Sequence, residues 1–438
     1  MFKRINKLSI FSAMVIVALC AMSFNVFAQE ATTELEAIQD YASIVWLSIC
    51  CGLVLFMQAG FLLVEGGVVR SKNAINVVLK NFTDVGIGTV GFWLIGYGLM
   101  YGTNETGWIG LSGFAPTDTG TSASLDLLYN TMFAATAATI MSGAVAERFY
   151  FLPYVGGALV VTTVVYPIFG SWAWSDTGWL AELGFHDSAG ATVVHSIGGW
   201  CALGALILIG PRTGRFTRKG EVHVISGHNL PYVAIGGFIL WFGWFGFNGG
   251  SVNEDFSNIG QILLNTHLGA VAGICGAIFA SILMKKGFVM VTIVNGALGG
   301  LVTITAGVDV ITAPYAILAG FIGGNIIVFT EQFLNKFRID DAVGAVAVHG
   351  FCGAWGTLVV GLFWAGDMFN IERIIVQITG IVAALVWGLS ASLVIFWTIS
   401  KIHAIRVPVR IEQRGLDISE HKEIGYSDFV ITHVKADS

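Results

Sequence analysis

Apolar stretches about as long as a bilayer is thick follow one another along almost the whole of this 438-residue chain. A helix needs roughly 20 apolar residues to cross the hydrocarbon core, so each stretch is a candidate span. Spans are expected near 41–66, 80–101, 126–146, 151–171, 189–210, 229–249, 261–284, 288–307, 313–334, 343–365 and 373–403, eleven in all. Only 11% of the residues are charged, well below the level of about a quarter that is usual in soluble domains. The 56 glycines suit a membrane bundle, where small residues let helix backbones approach closely. The fold class expected is an all-α polytopic membrane protein. The net charge of −6 gives no sign of a nucleic-acid partner, because the charges sit in short loops and in the tail.

The first residues have the three parts of a secretory leader: basic "MFKRINK", apolar "LSIFSAMVIVALCAM", and small residues near "NVFA". A signal peptide over 1–28, cut after Ala28, is expected, with an uncleaved first helix as the alternative. The transmembrane domain then covers 29–404, and 405–438 form a tail. With the mature N-terminus outside, the non-leader Lys and Arg residues fall in loops on the inside, at the inner start of the second span (Lys80) or in the tail, Arg373 excepted. The outside loops "NETGW", "SDTGWLAELGFHD" and "VNEDF" are acidic or neutral. That asymmetry is the positive-inside pattern, and an even number of spans would break it. The protein is thus expected in the inner membrane with a cytoplasmic C-terminus. Cys20 leaves with the leader, and Cys50, Cys51, Cys201, Cys275 and Cys352 lie within spans. They read as buried small apolar residues, without a disulfide framework or metal-site spacing.

Two decapeptides match each other: "GATVVHSIGG" at 190–199 and "GAVAVHGFCG" at 344–353. His195 falls in the fifth span and His349 in the tenth. Five is odd, so equivalent spans of two five-span halves run in opposite directions, followed by a long final helix. Inverted repeats of this kind place a substrate path between the halves near the midplane. The two imidazoles are expected to meet there, in a central hydrophobic pore. The structural alternative is that each histidine is a core residue bonded to a neighbouring carbonyl; a pair of ionisable groups inside a membrane points instead to function. A ligated metal or haem, a proton relay and a hydrogen-bonded small solute are the three chemistries such a pair offers. A metal would want further ligands, and His267 is the only other histidine placed well inside a span. Relay or solute binding is the better fit.

"WFGWFGFNGGS" (241–251) and "GSWAWSDTGW" (170–179) gather rings toward the outer face. Interfacial aromatic belts account for many such residues, while rings converging on one mouth can hold a cation by their faces. With "RSKNAINV" (70–77), "GAVAERFYF" (143–151), "FHDSAGATVVHSIGGW" (185–200), "GHNLPYVAIGG" (227–237) and "DDAVGAVAVHG" (340–350), the chain from about 41 to 426 resembles the ammonium transporter family (Amt/Mep/Rh).

The resemblance implies a homotrimer in which each subunit encloses its own narrow pore through the lipid membrane. It implies that ammonium, or its analogue methylammonium, is recruited outside by Phe133, Trp174 and Ser251. Phe133 and Phe247 would form the pore gate, His195 and His349 the paired pore histidines, and Trp244 would line the path beside them. Asp187 matches a buried family carboxylate, for which a structural role at the helix start is preferred over direct ligation. Ala342 stands where the family usually has proline. "LLVEGG" (62–67) departs from the aromatic turn of many relatives and places Glu65 near the inner surface. The tail resembles the family's cytoplasmic tail, with Lys422 at a common glycine, and a PII-type signal protein is the partner such a tail implies. Transport without cofactor or catalysis is the function expected. An ammonium sensor signalling through the tail and a bis-histidine haem carrier are the alternatives.

Overall fold

The computed structural model describes residues 7–117, 119–251 and 256–426, with side chains from residue 38 onward. The basic leader residues 1–6, most of the "VNEDF" loop and the tail from 427, Lys435 included, lie outside the described residues. The first helix runs unbroken over Lys7–Val68, so the expected cut after Ala28 falls within it. Its apolar part, Ile38–Val68, is the first span.

Ten more helical crossings follow: 74–101, Gly120–Ala144, 151–174, 191–209, Leu230–Gly249, Ile259–Leu283, Met290–Thr305, Ala313–Lys336, 346–363 and Ile371–Ile402. Among the described residues there is no strand, only two isolated bridges. Eight crossings are long and apolar enough to span a membrane on that ground alone. Met290–Thr305 has only 16 residues. The second and third are diluted by polar side chains, Asn76, Lys80, Asn81 and Asp84 on one and Thr131, Thr136, Thr139 and Ser142 on the other. All eight are buried, because in lipid a polar group must face protein.

The halves are visible in the packing. The first span lies along the sixth, spans two to four form one group and seven to nine another, and the fifth meets the tenth. The eleventh lies along the fourth, fifth and tenth. The fifth and tenth come so close that a Cβ at Gly199 would stand 2.3 Å from the backbone nitrogen of Gly350. Only glycine there lets the two histidine-bearing segments touch.

Loops hydrogen-bond in two sets, one at each end of the bundle. At one end Glu147 accepts from Arg70 (2.7 Å) and Arg212 (3.3 Å), Asp340 accepts from Arg212 (2.8 Å), and Lys72 donates to Glu412 of the tail. At the other, Asn104 bonds Ser171 and Gln377 bonds His186. The basic loops of the sequence thus share one face. Burial pushes the Asp340 carboxyl up, but Arg212 hydrogen bonds and the Arg148 charge override it and hold it well below the usual carboxylate range. Its contribution is therefore complete above the unfolded value near pH 3.9 and is lost only as pH falls through the folded value. Arg212→Ala takes from buried Asp340 its bidentate partner, leaving it Arg215 at 3.3 Å, and takes from buried Glu147 the second of its two arginines. It is expected to cost about 3–5 kcal/mol at neutral pH, read as a lower melting temperature of the detergent-solubilised protein; unchanged melting would refute this.

The tail packs on the same face. Asp417 accepts from the backbone N–H of Ile75 (3.0 Å) and Asn76 (2.8 Å), and Glu420 from that of Phe151 (3.2 Å). Lys422 holds φ of 58°, the left-handed region that glycine enters without strain. The turn therefore keeps its shape with lysine at the glycine position.

Two sequence expectations need correction, on Lys80 and on Cys275, while His267 lies inside its span as expected. The second span starts at Ala74, not 80, so Lys80 is not at its mouth but fully buried, 4.9 Å over the Tyr154 ring. Asn73 and Asn76 permit the earlier start, because the tail satisfies them: Asn73 accepts from Leu416 N–H and Asn76 bonds Glu420. Cys275 is exposed on its helix rather than buried, unlike the other four. His267 also faces outward, against Trp241 at 5.3 Å, since its helix turns its glycine face inward instead.

Candidate functional site

Two nine-residue segments build the centre, "DSAGATVVH" ending at His195 and "DAVGAVAVH" ending at His349. In each, an aspartate accepts from the N–H groups that open a helix. Asp187 Oδ1 accepts from Gly190 (2.9 Å) and Ala191 (2.8 Å), and Oδ2 from Thr192 (2.8 Å) and Val193 (2.9 Å). Asp341 accepts from Gly344 (2.9 Å) and Val346 (2.7 Å). The glycines hold φ of 99° and 85°, which lets the chain fold back over the carboxylate before the helix begins. Both helices open with a π turn, 191–196 and 346–351, that carries the histidine. Such turns recur at functional sites. The matched decapeptides show the histidines, and the match extends three residues further back, where Asp341 is the mate of Asp187.

The two imidazoles meet with Nδ1 to Nδ1 at 3.1 Å, both buried. Two such nitrogens in contact share one proton, so one ring donates and the other accepts. His195 Nε2 is buried without a partner among the described residues, and His349 Nε2 makes no hydrogen bond with any of them. One open nitrogen is thus a donor and the other an acceptor. Among the described residues no cluster of three or more His, Cys, Asp or Glu side chains forms around the pair to complete a metal's ligand set.

Rings continue the line in both directions. Trp244 stacks on His195 at 5.0 Å and is fixed by its Nε1–H to Thr305 (2.9 Å). Phe247 lies 5.1 Å from His195 on one side and stacks on Phe133 at 4.1 Å on the other. Phe61 stands 6.2 Å from His349. Phe133, Phe247 and Trp244 are fully or almost fully buried.

Above the phenyl pair, a cavity of about 720 Å³ opens at the end opposite the basic loops. Phe133, Trp174 and Ser251 all line it, with Tyr129, Asp126 and Asp309. Trp174 is 6.2 Å from Phe133 and held by its Nε1–H to the Asp187 carbonyl (2.7 Å). Trp172 is packed away from the mouth among Trp108, Trp179 and Trp387. Of the two tryptophans, Trp174 is the one that lines the cavity. Tyr129 was not anticipated. Its hydroxyl reaches the carbonyls of Gly246 (2.9 Å) and Phe247 (2.6 Å), and its ring lies 4.6 Å from Phe133, so it helps fix the Phe133–Phe247 pair in place. No sequence signal separates it from an ordinary interfacial tyrosine. At the rim His186 pairs with Asp309 at 3.1 Å.

A bundle of eleven crossings around a ring-lined pore, with a mirror-related histidine pair at its waist, defines a channel-like membrane transporter. The profile of the Ammonium Transporter Family matches residues 45–426, and the chain belongs to that family. A putative ammonium transporter of Synechocystis is 41% identical over 395 residues, 86% of this chain and 73% of the relative. The ammonium transporter Amt2 of Archaeoglobus fulgidus is 37% identical over 97% of this chain and 96% of its own. Among solved structures, the Sensor Amt Protein superposes with a TM-score of 0.85 at 38% identity, over 88% of this chain and 99% of that one.

Proposed function

We propose that this protein carries ammonium across the cytoplasmic membrane by separating the ion into ammonia and a proton at the outer cavity. The continuous column Phe133, Phe247, His195, His349 carries this reading. An unpaired cation in such surroundings costs several kcal/mol, and a potassium ion cannot shed its charge to escape that cost. Ammonium can. Phe133 and Trp174 offset lost hydration at the cavity floor by cation–π contact, about 0.5–2 kcal/mol each, and Ser251 accepts a hydrogen bond. Neutral ammonia then passes the phenyl pair and bonds the open Nε2 atoms, while the proton crosses the shared Nδ1 contact. The basic face is read as cytoplasmic.

An ammonium pulse applied to proteoliposomes is expected to evoke a current; binding without current would favour the sensor reading. The Sensor Amt Protein neighbour keeps that second reading open, and the docked tail is its natural output. Trp174→Leu is expected to raise the half-saturating ammonium concentration about 2- to 30-fold, with the maximal current largely kept; an unaltered concentration dependence would remove Trp174 from recruitment.

Three assembly proposals accompany this. The apolar residues exposed on the lone chain, such as Phe238, Phe242 and Phe279, fit burial in a homotrimer or in lipid, and a single-subunit mass in detergent would reject the trimer. A PII-type protein binding the basic face is tested by pull-down with the purified transporter. N-terminal sequencing that starts before residue 29 would reject leader cleavage.

A further inference from the structure

Glu65 is a buried acid that the transport route leaves unused. It sits three residues before the end of the first span and is 2% exposed. One carboxylate oxygen, Oε2, accepts from Asn81 Nδ2 (3.0 Å) and from the Ser142 hydroxyl. The other, Oε1, receives no hydrogen bond from any described residue. Glu65 and His349 line the same small cavity, otherwise walled largely by Phe61, Val64, Ile140 and Leu298. Its volume is about 20 Å³, enough for about one water-sized molecule. The structure makes room for this acid: a Cβ at Gly143 would stand 2.9 Å from its Cγ and Cδ.

Behind Glu65, away from the pore, runs a buried polar seam on the second span. Lys80 lies over the Tyr154 ring at 4.9 Å, and Tyr154 donates to Asp84 at 2.6 Å. Asn81 Oδ1 and Asp84 Oδ1 are buried and unpartnered among the described residues. An ion inside a bilayer is costly to keep, and such groups mark proton or ion paths by default. A tie between helices needs no charge. Glutamine, of the same length, would offer an uncharged oxygen to Asn81 and Ser142.

We infer that Glu65 is the inner proton-transfer residue, the place where ammonium re-forms after crossing the histidine pair. The inference rests on the transport reading above. The Glu65 carboxylate takes the proton delivered through His195 and His349 and becomes the neutral acid. Ammonia arriving in the cavity below His349 then takes that proton, giving ammonium and regenerating the carboxylate. The ion leaves toward the basic face, and one ammonium has entered for each proton released at the outer cavity. The groups that tune Glu65 are Asn81, Ser142, Lys80, Asp84 and Tyr154 on the seam side and His349 on the pore side.

The test uses the full-length protein in proteoliposomes. Glu65→Gln keeps the shape and an acceptor for Asn81 and Ser142 but cannot titrate. Its ammonium-evoked current is expected to fall on the order of tenfold or more with melting unchanged, and Glu65→Asp to recover part of it. Difference infrared spectra on ammonium addition are expected to show a carboxyl band that Glu65→Gln lacks. Wild-type current and spectrum in Glu65→Gln would overturn the inference while leaving transport standing. Equal loss in Glu65→Gln and Glu65→Asp, in step with lowered melting, would also overturn it, assigning a structural role. Should Glu65→Gln fail to fold, Ser142→Ala decides. Loss of a donor to the carboxylate is expected to move the pH midpoint of the current upward, and an unmoved midpoint would overturn the inference. Absence of current in the wild-type protein would overturn the relay reading and this inference together.

Discussion

His195→Ala and His349→Ala are each expected to let potassium follow ammonium through the pore. The ratio of ammonium-evoked to potassium-evoked current should fall at least about tenfold, equivalent to about 1.4 kcal/mol of lost discrimination. The rings meet at 3.1 Å and are stacked between Trp244, Phe247 and Phe61. Truncating either one leaves a ring-sized void at the waist, and the surviving imidazole loses its Nδ1 partner. A buried polar atom without a partner draws water. Once water stands across the waist, a hydrated potassium ion no longer meets a dry barrier. Relay through the pair also ends, so proton-coupled ammonium current should decline on the order of 100-fold, the scale of a positioned acid–base group. Proteoliposome currents with each cation check both effects. Unchanged methylammonium uptake together with intact potassium exclusion in both variants would reject the paired-histidine mechanism.

The second large effect concerns Asp187. Asp187→Ala removes the acceptor of four N–H bonds at the start of the helix that carries His195. Single hydrogen bonds to a charged group are worth about 1.5–3 kcal/mol, and these four act as a unit. The π turn is expected to lose its anchor, His195 to shift from His349, and transport to fall on the order of 100-fold, as for misplacement by about an ångström. Melting should drop in parallel, by an amount equivalent to about 3 kcal/mol. Asp187→Asn should resemble Asp187→Ala more than the wild type, because its amide nitrogen would face donors where an oxygen now accepts. A direct ligand for the cation would behave otherwise, raising the half-saturating concentration with melting unchanged. Asp341→Ala tests the mirror-related cap of the His349 helix in the same way.

The sequence by itself determined the membrane class, the number of crossings, the sharing of basic loops on one face and the pairing of two histidines. Each follows from one-dimensional information: apolar length against bilayer thickness, charge sign by loop parity, and a repeated decapeptide. Burial within the bundle was not legible that way. Lys80 looks the same in sequence at a mouth as inside, and only the Tyr154 ring and the docked tail explain its position. Cys275 and His267 are inside spans by sequence, yet both face outward, because a helix with apolar residues on every side does not announce which side meets lipid.

Tertiary structure alone brought Trp174 rather than Trp172 to the outer cavity, placed Tyr129 against Phe133, and set Glu65 across a one-molecule cavity from His349. These are relations between residues far apart in the chain. They depend on how eleven helices tilt and cross, which is fixed by many weak packing contacts rather than by any local signal.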